Sequence, residues 1–377
     1  MKKIILVFIP LLLLVLSCEK KDKKSQTSVE NDKANIFKSL DNIVSCMGTM
    51  KDGELMNAFV EFANISYGEA IDEEFVEDLF DNLGDAFEEV EFNEDEDRLP
   101  FENFTGTWSY GILDHKWSHS KTPSNKIIIK FPSDKSQTRN NVTASLDDYA
   151  DKKYVFDSDD VWLPVSFNLS LMKDGSKLAE LDLDNLDFYQ SNDLIIPTDV
   201  SVSLFVSPFT LAFNGERTSS KQFMAEARFD DGSGCEYILN GNLKLAHSDY
   251  ENLDEEHFTS IEGFFSHNQM KLEYFLGLGK IAEFQNTYAG ASDDEINDNI
   301  DVKLLMNRQN VGEITIKTTT EEIDYDWGSY TESSSDFIIT YKNGESESVE
   351  VYLEPFFQDL ETVFEPILGD VEDVDVW

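Results

Sequence analysis

Apolar residues in the first third of the chain recur at the spacing of amphipathic helices. Three successive runs each place their apolar side chains on one helix face. The third run opens with Asp72, Glu73 and Glu74, acidic first-turn residues that favour a helix start. The acidic stretch that follows is closed by Pro100, which marks a boundary. The apolar positions of the runs are Ile36, Phe37, Leu40, Ile43 and Val44; Leu55, Phe59, Phe62 and Ile65; and Phe75, Leu79, Leu83 and Phe87.

From Phe104 onward the pattern changes to the two-residue alternation of β-strands. Leu181 and Leu183 alternate with Asp182 and Asp184, which predicts a strand with one leucine face and one carboxylate face. The acidic interval after Leu245 predicts a helix or a loop. The predicted strands are 105–110, 126–131, 142–149, 163–172, 177–186, 200–206, 209–213, 223–229, 237–245, 270–276, 301–305, 311–317, 337–341 and 348–352.

Turn signals at short spacing separate many of these strands. Such sequential hairpins predict an antiparallel meander rather than βαβ units. A final helix is predicted to begin at Pro355, with Phe356, Leu360 and Phe364 on its apolar face. The turn signals are Lys173-Asp174-Gly175, Asn214-Gly215, Asp231-Gly232-Ser233-Gly234 and Lys342-Asn343-Gly344.

The predicted fold class is α+β, with N-terminal helices, a large antiparallel β-meander and a C-terminal capping helix. A sheet of so many strands is expected to curl into a half-barrel or to split into a sandwich, because its twist accumulates. The predicted organisation is a signal peptide (1–17), a flexible tether (18–32), a helical segment (33–100), an antiparallel β domain (101–353), and a helix with an acidic tail (354–377).

The first residues of the chain have the pattern of an export signal. Two lysines precede an unbroken apolar run over residues 4–16. As a helix this run would be about 20 Å long, which is shorter than the roughly 30 Å of hydrocarbon that a spanning helix crosses. Pro10 within the run also fits a transient segment better than a stable span.

The end of the apolar run, Val15-Leu16-Ser17-Cys18, resembles the lipobox of bacterial lipoproteins. The resemblance implies that the peptide before Cys18 is removed and that the cysteine carries lipid, which anchors the protein to a membrane. An ordinary signal peptide with an incidental cysteine is the alternative. The charged residues 19–24 are similar to the start of Bacteroidetes lipoproteins, which implies an outer-membrane protein of the cell envelope. Whether it faces the periplasm or the outside stays open.

The amino-acid composition indicates that the chain beyond the signal peptide is folded and strongly acidic. The whole chain has a formal net charge of −45, and 41% of its residues are hydrophobic. Removal of residues 1–17 takes away two lysines and leaves 28 basic against 75 acidic residues, a net charge of −47. This acidic coat argues against nucleic acid and anionic lipid surfaces as partners.

The sequence contains no short motif for catalysis, metal binding or a cofactor, so neither catalytic nor metal-ligating residues are predicted. His115 and His119 are four residues apart in a β context, where their spacing does not favour a shared metal. The ten-residue spacing of His247, His257 and His267 fits no ligand geometry. The acidic groups at 157–160 and 292–301 lack the ordered spacing of a calcium loop.

Cys46 and Cys235 are the two cysteines beyond the anchor. They either form a disulfide, which the exported compartment permits, or stay as two idle thiols.

Aromatic residues are more numerous than turns require. Core packing explains most of them, and an apolar groove for a lipid or an aromatic platform for a sugar is the alternative. Trp108, Trp117 and Trp327 are the best candidates for exposed rings. Helices on one face of a curled sheet would resemble the half-barrels of bacterial lipoprotein carriers.

The function predicted from these patterns is that of a non-catalytic lipoprotein that binds or carries an apolar ligand. The alternatives are a structural or protein-interaction lipoprotein of the cell surface, and a hydrolase without a recognisable motif. The oligomeric state stays open.

Overall fold

A computed structural model describes most of the chain. The described residues are 29–51, 83, 98, 100–121, 125–133, 136–156, 159–191, 194–254, 257–285, 292–325 and 328–368. The predicted signal peptide and lipobox, the second predicted helix, nearly all of the third, and Trp327 therefore lie outside the described residues. Leu83, from the third predicted run, is helical and buried.

The described residues are mostly β, with a long helix near each end. The helices are α1 (Val29–Lys51), α2 (Phe101–Phe104), α3 (Leu278–Gln285), α4 (Asp293–Asn297) and α5 (Glu350–Leu368), with a 3-10 turn at Tyr250–Asn252. The strands are β1 (Gly106–Gly111), β2 (Lys116–Ser120), β3 (Ile127–Phe131), β4 (Val142–Phe156), β5 (Asp159–Lys173), β6 (Ser176–Ser191), β7 (Leu194–Val206), β8 (Phe209–Ser219), β9 (Gln222–Asp230), β10 (Glu236–Leu245), β11 (Phe258–His267), β12 (Met270–Leu276), β13 (Ile300–Met306), β14 (Gln309–Tyr325), β15 (Gly328–Tyr341) and β16 (Ser346–Ser348).

The strands form one open sheet in which chain neighbours are almost always sheet neighbours. Its order runs from β16 down to β3 in sequence and then ends β1-β2. The predicted meander and the two terminal helices are thus confirmed in outline. The prediction of a wholly antiparallel sheet is wrong at one pair, because β1 and β3 are parallel. Since β2 occupies the outer side of β1, the next strand joins β1 on its other side and runs in the same direction.

Three local predictions are wrong. The predicted turn at Asn214-Gly215 lies within β8, where both residues pair with β7. The predicted strand 348–352 is mostly helical, because α5 begins at Glu350, before the expected start at Pro355. The helical spacing of Val349, Tyr352 and Leu353 buries all three side chains in one core. The interval after Leu245, predicted as helix or loop, contains all of β11.

Gly263 explains why β11 was hard to predict. It lies in the middle of the strand, where glycine weakens a β pattern. Gly263 is paired with Gly241 on β10 and with Tyr274 on β12. The Tyr274 hydroxyl donates a 2.9 Å hydrogen bond to the Asn240 carbonyl, and a Cβ atom at Gly263 would lie only 2.0 Å from that same oxygen. This position therefore accepts no side chain.

The chain divides into two compact units. The first, which we call unit 1, comprises Met1–Lys51, Ser219–Met224 and Cys235–Trp377. Its core packs α1 and α5 against residues of β12 to β15, through Ile36, Ile43, Leu304, Ile339 and Tyr352 among others. The predicted first helix is thus confirmed, although it begins at Val29, inside the stretch predicted as tether. Cys46 of α1 is disulfide-bonded to Cys235 just before β10.

The second compact part, unit 2, comprises Asp52–Thr218 and Ala225–Gly234. One of its cores lies around Tyr110, Phe131 and Val142. The other joins Leu83 to α2 and β1, and its buried members are Leu83, Phe101, Phe104, Trp108 and Ile127. Unit 2 also contains the three long neighbouring strands β4, β5 and β6, of 15, 15 and 16 residues. These strands are the scaffold of the candidate site.

Candidate ligand-binding face

Strands β4 to β8 of unit 2 bring five leucines into one row. Successive side chains of a strand point to opposite faces, and residues paired across strands share a face. Each of these strands contributes one leucine, and the register pairs it with the leucine of the next strand. We call this set the leucine row. Its members are Leu146, Leu169, Leu181, Leu204 and Leu211. Four strand spacings of about 4.8 Å give the row a length of about 19 Å.

Two further apolar rows flank the leucine row on the same face. Because each is displaced by two residues along the strands, its side chains point to the same side as the leucines. We call the three rows together the apolar face. The first flanking row is Ala144, Leu171, Ala179, Val206 and Phe209, and the second is Phe167, Leu183, Val202 and Phe213.

The opposite face of the same strands is polar. Asp182 is paired with Asn168 on one side and with Ser203 on the other. The Asn168 amide donates hydrogen bonds to Asp182 (3.3 Å) and to Glu180 (3.4 Å). The predicted alternation of 181–184 therefore holds for Leu181, Asp182 and Leu183. Asp184 falls at a register shift between Leu183 and Asn185.

Exposure varies across the apolar face. Leu146 packs beside the cluster that contains Leu83 and Phe101, and Leu183, Val206 and Phe209 are buried. In contrast, Leu169, Leu211 and Phe213 expose 44%, 43% and 41% of their surface. Leu211 and Phe213 are neighbours on one face of β8, and adjacent exposed apolar side chains of this kind typically mark a binding site.

The residues predicted as the lipid anchor, Cys18 with Val15, Leu16 and Ser17, lie outside the described residues. For the other predicted pair, the structure contains the disulfide between Cys46 and Cys235 rather than two idle thiols. It belongs to unit 1 and closes a sequence separation of 189 residues.

The two histidines of the β1–β2 hairpin have separate partners. His115 Nδ1 lies 2.9 Å from the Tyr110 hydroxyl. His119 stacks on Trp108 at 3.9 Å between ring centroids, and its Nε2 lies 3.0 Å from the Thr105 carbonyl oxygen. Each ring is therefore held by its own local contacts.

Two of the other histidines are in contact, although their ten-residue spacing does not predict it. The rings of His247 and His257 are 4.0 Å apart, because they stand at the two ends of the β10–β11 connection. Asp254 Oδ1 lies 2.9 Å from His257 Nδ1. His267 is buried in unit 1, with Nδ1 3.1 Å from the Glu236 carbonyl oxygen. Among the described residues, no group of three or more His, Cys, Asp or Glu side chains could hold a metal ion.

The tryptophan expectation is wrong for Trp108. Its ring is only 3% exposed, and its indole N–H donates a 2.9 Å hydrogen bond to the Phe104 carbonyl. Trp117 is half-buried and packs edge-on against Tyr110 at 5.5 Å. The interior of the β1–β3 region uses these aromatics for packing.

The acidic stretch around α4 serves as a helix cap. Ser292 and Glu295 form a capping box, in which the hydrogen bonds from the Ser292 backbone and hydroxyl lower the pKa of the Glu295 carboxyl. Asp293 accepts a 2.8 Å hydrogen bond from the Thr318 N–H.

In the other acidic group, residues 157–160, Asp160 forms an ion pair with Lys153 at 2.6 Å. Residues 157 and 158 lie outside the described part of the chain.

A half-buried carboxylate in unit 1, that of Glu347, is not indicated by the sequence. Glu347 accepts hydrogen bonds from the hydroxyls of Tyr341 and Tyr352 and from the ammonium group of Lys33 on α1. Burial and the hydrogen bond to the carboxylate raise the pKa of Tyr341 and that of Tyr352 well above the usual range. The cluster links α1, the edge of the sheet and α5, and no spacing in the sequence indicates it.

No protein-family model, curated protein or solved structure matches this chain. Within the described part of the chain, no helix is both long enough and apolar enough to cross a membrane.

Proposed function

We propose that this protein is a membrane-anchored, non-catalytic lipoprotein of the cell envelope whose apolar face binds an apolar ligand. The leucine row is the observation that carries the proposal. Five paired leucines make a continuous strip about 19 Å long, and two of them are more than 40% exposed. Leaving such surface in water is unfavourable, and contact with an apolar molecule removes that cost.

The chemistry of the two faces supports binding rather than catalysis. The apolar face presents leucine, valine, alanine and phenylalanine side chains, which offer dispersion contacts but neither a proton donor nor a nucleophile. The carboxylates of the same strands point to the opposite face, where Asp182 and Glu180 accept hydrogen bonds from Asn168. A ligand on the leucine row would therefore be held by its hydrocarbon part.

The overall charge narrows the class of ligand. With 75 acidic and 30 basic residues, the protein repels freely diffusing anions that come within about a Debye length of its acidic surface. A neutral or zwitterionic lipid is thus favoured over a free fatty acid anion. Full burial of one leucine side chain contributes about 1.5–3 kcal/mol, so partial burial of several is enough for micromolar binding.

Native mass spectrometry of gently extracted protein tests the ligand. We expect a co-purifying apolar molecule, and we expect the double variant Leu169→Asn, Leu211→Asn to retain it at least tenfold less well. The matched control is Val351→Asn with Phe357→Asn, which changes two exposed apolar residues of α5 in unit 1. Absence of any bound apolar molecule from the wild-type protein, or equal retention by both double variants, would refute the proposal.

The anchor is tested separately from the ligand. If Cys18 carries lipid, Cys18→Ala should move the mature protein from the membrane fraction to the soluble fraction, because lipid chains supply the membrane affinity. Globomycin, which blocks the lipoprotein signal peptidase, should lead to accumulation of the precursor. Ser25→Ala is the control, since it changes a residue beyond the lipobox and leaves the disulfide between Cys46 and Cys235 intact. Mature Cys18→Ala protein that stays in the membrane fraction would contradict the anchor.

A further inference from the structure

The β1–β3 region of unit 2 is basic in an otherwise acidic protein. Residues 115–139 contain six lysines and arginines and one acidic residue, whereas the whole chain has 30 basic and 75 acidic residues. Lys126 pairs with Asp147, and Arg139 pairs with Asp174 at 2.9 Å. The exposed lysines Lys116 and Lys130 form no ion pair with the described residues. We call these two the hairpin lysines.

The neighbours of the hairpin lysines carry hydroxyl groups rather than carboxylates. Lys130 on β3 is paired with Ser109 on β1, and Ser109 is paired with Ser118 on β2. Lys116 stands two residues before Ser118, so its side chain points to the same face. By strand spacing the Cα atoms of Lys116 and Lys130 are about 12 Å apart. The acidic group nearest in sequence is the exposed Asp114 in the turn.

A leucine projects into solvent from the same hairpin. Leu113, in the turn between β1 and β2, is 98% exposed, the largest exposure among the described large apolar residues. The turn around it is held in place, because the His115 N–H donates a 2.8 Å hydrogen bond to the Gly111 carbonyl. The Tyr110 hydroxyl, 2.9 Å from His115 Nδ1, provides a second tie. A fixed turn thus presents an apolar side chain beside the lysines.

We propose that the β1–β2 hairpin docks on a membrane surface that contains anionic lipid. Leu113 enters the boundary between head groups and acyl chains, and the hairpin lysines lie against the lipid phosphates. Basic residues next to an exposed apolar side chain are the combination that interfacial membrane binding requires. A soluble polyanion would use the lysines but would leave Leu113 in water, so the leucine favours a lipid surface.

The net charge of the protein does not prevent this contact. Exposed charges are screened beyond about 8 Å at physiological ionic strength, so the residues nearest the surface decide its sign. The expectation that the acidic coat disfavours anionic lipid is therefore revised for this hairpin alone. The proposal is independent of the ligand-binding face, because it rests on other residues and predicts binding with or without a bound ligand.

Vesicle co-sedimentation tests the docking surface. The mature chain from residue 18, with Cys18→Ala to remove the anchor, is mixed with phosphatidylcholine vesicles with or without phosphatidylglycerol. We expect tighter binding when phosphatidylglycerol is present, and weaker binding as salt increases. Each lysine near an anionic leaflet strengthens binding about fivefold, so K116E/K130E should bind about 25-fold more weakly. Leu113→Asn should bind about tenfold more weakly.

Two controls separate the proposal from general electrostatics and from binding of soluble polyanions. K317E/K342E makes the same charge change at two exposed lysines of unit 1 and should bind vesicles like the wild-type protein. Leu113→Asn should leave binding to heparin, a soluble polyanion, unchanged. Equal loss of vesicle binding in both lysine double variants would overturn the proposal, and so would vesicle binding by Leu113→Asn that equals wild type.

Discussion

Replacing Cys46 and Cys235 by serine should lower the free energy of unfolding by about 5 kcal/mol. A disulfide stabilises mainly by restricting the unfolded chain, and the effect grows with the logarithm of the loop it closes. The bond here spans a separation of 189 residues, for which the chain-entropy relation gives about 5 kcal/mol at 25 °C. Urea unfolding, followed by circular dichroism, measures the change for the double variant.

The position of the disulfide also predicts which part of unit 1 unfolds first when the bond is removed. Cys46 is buried near the end of α1, so loss of the bond should loosen that helix on unit 1 before the strands separate. Hydrogen exchange should quicken first in α1. Dithiothreitol should bring the wild-type protein to the midpoint of the double variant and leave the variant unchanged. A shift of less than about 0.5 kcal/mol in the double variant would show that the bond adds little.

Much of the fold could be predicted from local pattern. Strand β12 coincides with the predicted 270–276, and α1 follows from the helical spacing of Ile36, Leu40 and Ile43. The errors occurred where a distant neighbour overrides the local signal. Asn214-Gly215 has the chemistry of a turn, but β7 supplies partners on both sides of it, so the strand continues. Gly263 weakens the pattern of β11, although the close approach of the Asn240 carbonyl requires a glycine there.

The candidate site could be predicted only in part, because it depends on register. Alternation shows that Leu181 and Leu183 share a face, but it does not show which leucine of β5 or β7 lies beside them. Each bulge changes that answer, and shifts occur between Asp147 and Ala150 and between Leu183 and Asn185. The sequence therefore indicates an amphipathic sheet. The continuous leucine row can be recognised only when the register of four neighbouring strand pairs is known.

The basic character of the hairpin can be predicted from the sequence, but the ion pairing of its lysines and arginines cannot. Its charge is plain in the sequence, since residues 115–139 contain one acidic residue among six basic ones. The significance of that charge is not plain, because Lys126 and Arg139 are neutralised by carboxylates distant in sequence. Only the structure distinguishes these from the lysines without an ion partner among the described residues, and only the structure shows Leu113 beside them.

Glu347→Ala should cost about 3 kcal/mol of unfolding free energy, which is a large effect for one side chain near a sheet edge. The substitution leaves the hydroxyls of Tyr341 and Tyr352, both buried, without their charged acceptor. It also leaves the ammonium group of Lys33 without its partner. Glu347→Gln keeps an acceptor oxygen and should cost less. A smaller loss for alanine than for glutamine would contradict this account.

The pH dependence of stability gives an independent test of the same cluster. Burial alone would raise the pKa of the Glu347 carboxyl, but hydrogen bonds from Lys33, Tyr341 and Tyr352 lower it below its usual value. A carboxyl with a lowered folded-state pKa stabilises the fold above its unfolded pKa of about 4.3, and this contribution disappears as the pH falls through the folded-state pKa. The stability difference between wild type and Glu347→Gln should therefore be full at pH 7 and shrink below about pH 4. A difference that stays constant from pH 7 down to about pH 2 would show that the charge of Glu347 adds nothing to the cluster.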